Sequence, residues 1–184
     1  MTDAELKSLI NRLSTKDAAA FEAFYRAMEK PLFRFLASRL NDPFQCADLL
    51  HEVFLDVWNG AGRFEGRSTV KSWVFGIAYR KVMDHFRKQG RFTTDDDIPE
   101  QEDDSPDVLS CIAAAQDAAH VRFCLEGLKP DHRAAIELTF FEDMGYRDIA
   151  EALMVPEGTV KTRVFHAKKL LMHCLQGRLG AKGR

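Results

Sequence analysis

No stretch of this 184-residue chain approaches the ~18 consecutive apolar residues that a membrane span requires. The opening residues, MTDAELKSLI, hold no basic segment followed by an apolar run, so no secretory signal is expected and the cytoplasm is the default compartment. Cysteine is sparse: Cys46, Cys111, Cys124 and Cys174 stand 65, 13 and 50 residues apart. No CxxC occurs, which excludes the spacing of a zinc ribbon or a thioredoxin-like motif, and the four read as small buried apolar residues. A glycine-rich phosphate loop, a nucleophile elbow and a carboxylate pair with a matching base are also missing. An enzyme therefore ranks third among the functions considered, and no cofactor or metal is expected. His51-Glu52 opens an HExxH pattern, but residue 55 is Leu, which rejects a zincin. His120 and Cys124 share a helical face, yet two ligands do not make a metal site.

What is present is ordinary globular material, 46% apolar and 29% charged, with 14 Phe to build a core. The net charge of −2 is unevenly spread. Residues 95–107, DDDIPEQEDDSPD, carry eight acids and no base; without those eight acids the net −2 becomes +6. After Glu157 no acid occurs, while Lys161, Arg163, Lys168, Lys169, Arg178, Lys182 and Arg184 do. Arg80, Lys81, Arg87, Lys88 and Arg91 form a second cluster, opposed only by Asp84. Either patch alone is explained equally well by a solvated helix face, but two separated patches suggest a polyanion touched at two places.

Almost every segment reads as helix. Thr2 and Glu5 make a capping box before Leu6, Leu9, Ile10 and Leu13. Ser14 or Thr15 can cap the next helix, where Phe21, Phe24, Tyr25 and Met28 recur on one face and Pro31 should kink or split it. Asp42-Pro43 starts a third helix, with Gln45 at the capping-box position, which carries Leu50, Phe54, Val57 and Trp58 and stops near Asn59-Gly60. A loop with Gly60, Gly62 and Gly66 follows, and Ser68 can cap a helix running to about Gln89. The acidic stretch with Pro99 and Pro106 reads as an extended linker. Further helices are expected from Ser105-Pro106-Asp107 towards Gly127, from Pro130, over Tyr146–Leu153, and from Glu157. The reading is all-α: two small helical domains, 1–91 and 108–184, joined by a flexible acidic linker, 92–107, the second containing a helix-turn-helix.

Residues 146–168, YRDIAEALMVPEGTVKTRVFHAK, carry that unit. Ile149, Ala150 and Leu153 face inwards, a break follows at Met154-Val155-Pro156, and Val160, Val164, Ala167 and Leu171 form one buried stripe. Thr159, Thr162, Arg163 and His166 form the opposite stripe, with Lys161 on its flank. Such a second helix enters the major groove, where an Arg can donate bidentately to guanine. An αα-hairpin in a helical bundle would share the periodicity, but not an exposed face of only hydroxyls and bases.

The run Glu157-Gly158-Thr159-Val160-Lys161-Thr162-Arg163 closely resembles the recognition helix of extracytoplasmic-function (ECF) sigma factors of bacterial RNA polymerase. The match continues upstream through Leu128-Lys129-Pro130, Arg133 and Tyr146–Leu153. The resemblance implies −35 promoter recognition by Arg147, Glu157, Thr159, Lys161, Thr162, Arg163 and His166. Met154 stands where the family turn usually has Gly; a left-handed Met there costs roughly 1 kcal/mol. Phe165-His166 replaces the usual His-Arg pair.

In the first domain, Asp48-Leu49-Leu50-His51-Glu52-Val53-Phe54-Leu55 resembles the family's segment that docks on the coiled coil of the largest polymerase subunit. It implies core binding by Asp48, Leu49, His51, Glu52 and Phe54. From spacing alone, Asp48, His51, Glu52 and Leu55 share one stripe beside an apolar one, an edge suited to a basic partner helix. Phe64, Ser68, Trp73, Ile77-Ala78 and Asp84-His85 resemble the segment that melts and captures the −10 element. The implied contacts are Phe64, Ser68, Trp73, Arg80, Lys81, Asp84, Arg87 and Lys88. A loop beside basic and aromatic side chains can hold an unstacked base. By composition alone, Trp73 and Phe75 read as core. Asn is common in the family where Arg80 stands, and Arg where Gly76 stands.

The implied function is a promoter-specificity subunit whose partners are polymerase core and promoter DNA. An anti-sigma partner, often membrane-anchored in this family, would compete with core at Asp48–Phe54, where apolar edges around Phe54 and at Phe165 are expected to be exposed. The rival reading is a helix-turn-helix regulator acting on duplex DNA without polymerase. Its first domain would instead be a ligand-binding or dimerisation module.

Overall fold

The computed structural model describes residues 1–40, 42–88 and 118–180. The acidic linker, Arg91, Cys111 and the helix start expected at Ser105–Asp107 lie outside the described residues. Eight α-helices are described: α1 Asp3–Ser14, α2 Ala18–Ala37, α3 Pro43–Gly60, α4 Val70–Lys88, α5 Ala118–Glu126, α6 Pro130–Phe140, α7 Tyr146–Leu153 and α8 Glu157–Gly180. Among the described residues no strand occurs, and the only other regular element is a 3₁₀ turn over Ala61–Arg63. No helix there is long and apolar enough to cross a membrane. The described residues fall into two compact units, one built from 1–88 and 147–155, the other from 118–146 and 156–180.

The helix ends follow side-chain chemistry. At α1 the Thr2 hydroxyl accepts from the Glu5 N–H at 3.3 Å while Glu5 accepts from the Thr2 N–H at 2.7 Å, the expected capping box. The expected caps of α2 and α4 are each displaced. Ser14 and Thr15 donate backwards to the Asn11 and Arg12 carbonyls and close α1, so Asp17 caps α2. At α4, Thr69 rather than Ser68 accepts from the Ser72 N–H at 3.2 Å, and Asp3 of α1 accepts from the Val70 N–H at 2.8 Å. A carboxylate from another helix thus satisfies a donor that no local residue reaches. At α3, Asp42 accepts from the Phe44 N–H. Pro31 does not split α2: Phe24 and Met28 before it and Leu32, Phe35 and Leu36 after it bury in one core, and that packing outweighs the local cost.

In the first unit α1 packs on α2, α3, α4 and the 3₁₀ turn, and α3 packs on α2 and α4. In the second, α8 carries both α5 and α6. The core there is Leu125, Leu128, Ile136, Ala167, Leu171 and Leu175, together with Cys124. Cys46 is a buried free thiol, as expected. Cys124 and Cys174 are not lone apolar residues: they form a disulfide between α5 and α8 with a Cα–Cα distance of 5.8 Å. Their separation of 50 residues hides the pairing, but each lies on the apolar face its helix turns to that core.

Candidate functional site

The α3 face splits more sharply than the sequence suggests. Asp48, His51, Glu52 and Leu55 are exposed, whereas Leu49 and Phe54 are buried. Phe54 is 2% exposed and is the hub of an aromatic cluster, with ring centroids 4.3 Å from Tyr25 and 6.2 Å from both Phe21 and Phe24. Of the five residues expected to bind core, the two apolar ones, Leu49 and Phe54, are therefore buried in the chain's own core. The reason is registration: positions 49, 50, 53, 54 and 57 turn inwards together, so Phe54 cannot also lie on the polar stripe.

Lys81 was expected to follow a phosphate backbone, but its Nζ lies 3.1 Å from both Glu52 and Asp56 and ties α4 to α3. Burial pulls its pKa down, yet the hydrogen bonds to the two carboxylates outweigh burial and hold it above the ordinary lysine value. Arg80 and Lys88 are exposed, and Asp84 and Arg87 pair along the helix at 3.1 Å.

Trp73 projects from the first turns of α4 and packs on Phe64, ring centroids 5.1 Å apart. Both are half-buried, while Phe75 is fully buried. A depression of 180 Å³ lies on one side, lined by Arg63, Phe64, Glu65, Gly66, Arg67, Ser68 and Trp73. Another of 270 Å³ is lined by Asp56, Asn59, Gly60, Arg63, Trp73, Ile77 and Arg80. Gly66 takes φ +70, a left-handed turn that brings the loop round at no steric cost. Aromatic faces with guanidinium groups on both sides can stack a base and hold its phosphate. Arg63 and Arg67, either side of Phe64 in the sequence, are brought to this site although the motif resemblance does not point to them.

Around α8 the expected stripe is not the exposed one. Thr162 is 2% exposed and donates back to the Gly158 carbonyl at 3.0 Å. Arg163 is 7% exposed, with Nη2 3.1 Å from Asp131 of α6. Phe165, expected outside, is buried too, with Lys169 over its ring at 4.4 Å. Thr159 and His166 are half-buried, and the His166 ring lies nearly parallel to that of His132 at 6.1 Å. Lys161 is exposed and pairs with Glu157 at 3.1 Å. On α7, Ile149, Ala150 and Leu153 are buried, and Arg147 is exposed, 3.8 Å from Glu151. Met154, after α7, takes φ +56, the left-handed conformation for which Gly is the usual residue.

The Sigma-70 region 2 profile matches residues 24–92, and the Sigma-70, region 4 profile matches residues 120–171. The ECF RNA polymerase sigma factor SigX of Bacillus subtilis is 31% identical over 159 residues, covering 82% of this chain and 81% of SigX. The chain belongs to the ECF RNA polymerase sigma factors. The RNA polymerase sigma-H factor of Pseudomonas aeruginosa is 25% identical over 186 residues, with 96% of each chain covered. Two solved structures share the fold of this sigma factor. One is RpoE with the anti-sigma factor NepR from Bartonella quintana, TM-score 0.63 at 24% identity, covering 85% of this chain and 96% of that one. The other is CnrH with the cytosolic domain of CnrY, TM-score 0.65 at 20% identity, covering 93% and 97%. Among the described residues of the sigma factor, no group of three or more His, Cys, Asp or Glu is placed to hold a metal ion.

Proposed function

We propose that this sigma factor brings RNA polymerase core to promoters and helps to open them, the polymerase supplying the nucleotidyl chemistry. Residues 1–91 would bind core and capture the −10 element, 92–107 would act as the linker, and 108–184 would read the −35 element. The observation that carries the reading is the Phe64–Trp73 pair set between two depressions that contain Arg63, Arg67 and Arg80. A flipped base needs an aromatic platform and its phosphate needs a cation, and here one loop and one helix provide both. The exposed acidic edge of α3 supports docking on a basic helix of core.

In this reading the chain has no catalytic activity of its own and works in the cytoplasm. An anti-sigma partner holds it inactive; RpoE of Bartonella quintana was solved with the anti-sigma factor NepR. The test is run-off transcription with purified core and a set of candidate promoters. Promoter-dependent transcripts above core alone are expected, and Trp73→Ala should reduce open complexes on duplex templates more than on pre-melted ones. No added initiation across the set would sink the proposal, and duplex binding without initiation would mark a regulator that acts alone.

A further inference from the structure

Phe44 is 82% exposed, the most exposed large apolar side chain among the described residues, and Leu55 is 58% exposed. Both lie on α3. Phe44, Asp48, His51 and Leu55 follow the i, i+4, i+7, i+11 spacing, so all four fall within ~60° of arc along about 16 Å of helix. The stripe is apolar at both ends and polar between. From Pro43 to Gly60 the helix has three acids, Asp48, Glu52 and Asp56, and no Lys or Arg. Lys81 engages Glu52 and Asp56, whereas Asp48 makes no ion pair among the described residues. The charge left to a partner is therefore centred on Asp48, one turn from Phe44.

We infer that Phe44 and Leu55 are the apolar anchors of the core-docking face, receiving a basic helix of polymerase core. That helix would have Arg or Lys opposite Asp48 and apolar side chains about three turns apart to cover Phe44 and Leu55. The inference rests on the proposal that α3 docks on core, and it replaces Leu49 and Phe54, which the core already holds. A basic helix matches a face that has acids but no base of its own. Anchors at both ends fix the register of two helices, which a single charge pair cannot do, and aromatic side chains such as Phe44 are enriched in interfaces relative to the rest of a protein surface.

The experiment uses the full chain and purified core. Phe44→Ser, Leu55→Ser and the double variant should keep wild-type helicity and melting temperature, because both side chains are solvated. The double variant should bind core about tenfold more weakly or worse, and Phe44→Leu should stay within about threefold of wild type. The double variant's loss should persist at high salt, while the loss caused by Asp48→Arg should shrink as ions screen it. If Asp48→Arg weakens binding and the double variant binds as wild type does, the anchors are wrong. If Asp48→Arg also binds normally, docking on α3 itself fails, and the anchors with it.

Discussion

Met154 and His132 show how single residues set the stability of the second half of the chain. Met154 holds φ +56 between α7 and α8, a conformation its Cβ disfavours by roughly 1–2 kcal/mol. Glycine removes that cost but loses more entropy on folding, so Met154→Gly should stabilise the protein by about 0.5–1 kcal/mol in urea unfolding. A lower midpoint would show that the exposed Met side chain makes contacts worth more than the strain. His132 is nearly buried, and its pKa lies below the ordinary 6.5, through burial first and then the neighbours His166, Arg163 and Lys129, against Asp131. The unfolded chain therefore takes up the proton first as the medium is acidified. Stability should be intact above pH 6.5 and fall as pH drops through that value towards the lower folded pKa. Urea midpoints at neutral and mildly acid pH should separate for wild type and converge for His132→Asn; equal separation in both would place the acid sensitivity elsewhere.

At the scale of the helices, burial decides which residues can do what the sequence pattern suggested. The spacing of Leu50, Phe54 and Val57 was enough to predict α3 and its inward face, and Pro130, Tyr146–Leu153 and Glu157 were enough to place α6, α7 and the start of α8. Side-chain roles were less legible because a polar or aromatic residue has more than one place to go. Lys81 looks like part of a basic strip until the two carboxylates on α3 are seen within 3.1 Å. Arg163 looks like a base reader until Asp131, 32 positions earlier, is seen beside it. Neither partner lies on the same helix, so no periodicity could reveal it.

Phe54→Ala should cost about 3–5 kcal/mol of stability, since it empties the centre of an aromatic cluster. Any weakening of core binding should then track the unfolded fraction, whereas Asp48→Arg should weaken binding in a folded protein. Arg163→Ala should cost about 1–2 kcal/mol, discounted because Asp131 is partly solvated. Its effect on duplex binding should be similar on all sequences, as for a loosened α6–α8 contact. A base-specific loss at one promoter position would return Arg163 to the DNA and require it to leave Asp131.

For the whole molecule, the Cys124–Cys174 bond lies entirely inside the second of the two compact units, beside the core of Leu125, Leu171 and Leu175. It links α5 to α8, the helix that also carries α6. Closing a loop with a separation of 50 residues constrains the unfolded chain by about 4 kcal/mol in the loop-entropy account, an upper value if the reduced thiols remain packed. The first unit has no share in that constraint: its cysteine, Cys46, is a free buried thiol. Calorimetry of the oxidised chain should therefore show two transitions, and a thiol reductant should lower only one of them. Cys124→Ala should reproduce the lowered transition without reductant, while Cys46→Ala should leave its response to reductant unchanged. In a reducing compartment the state with the weaker second unit would be the one present, because disulfides there are held open. Duplex DNA binding to α8 should be measured in both states: if reduction shifts neither the transition nor the affinity, the sulfurs act only as the small apolar side chains that lone cysteines usually are.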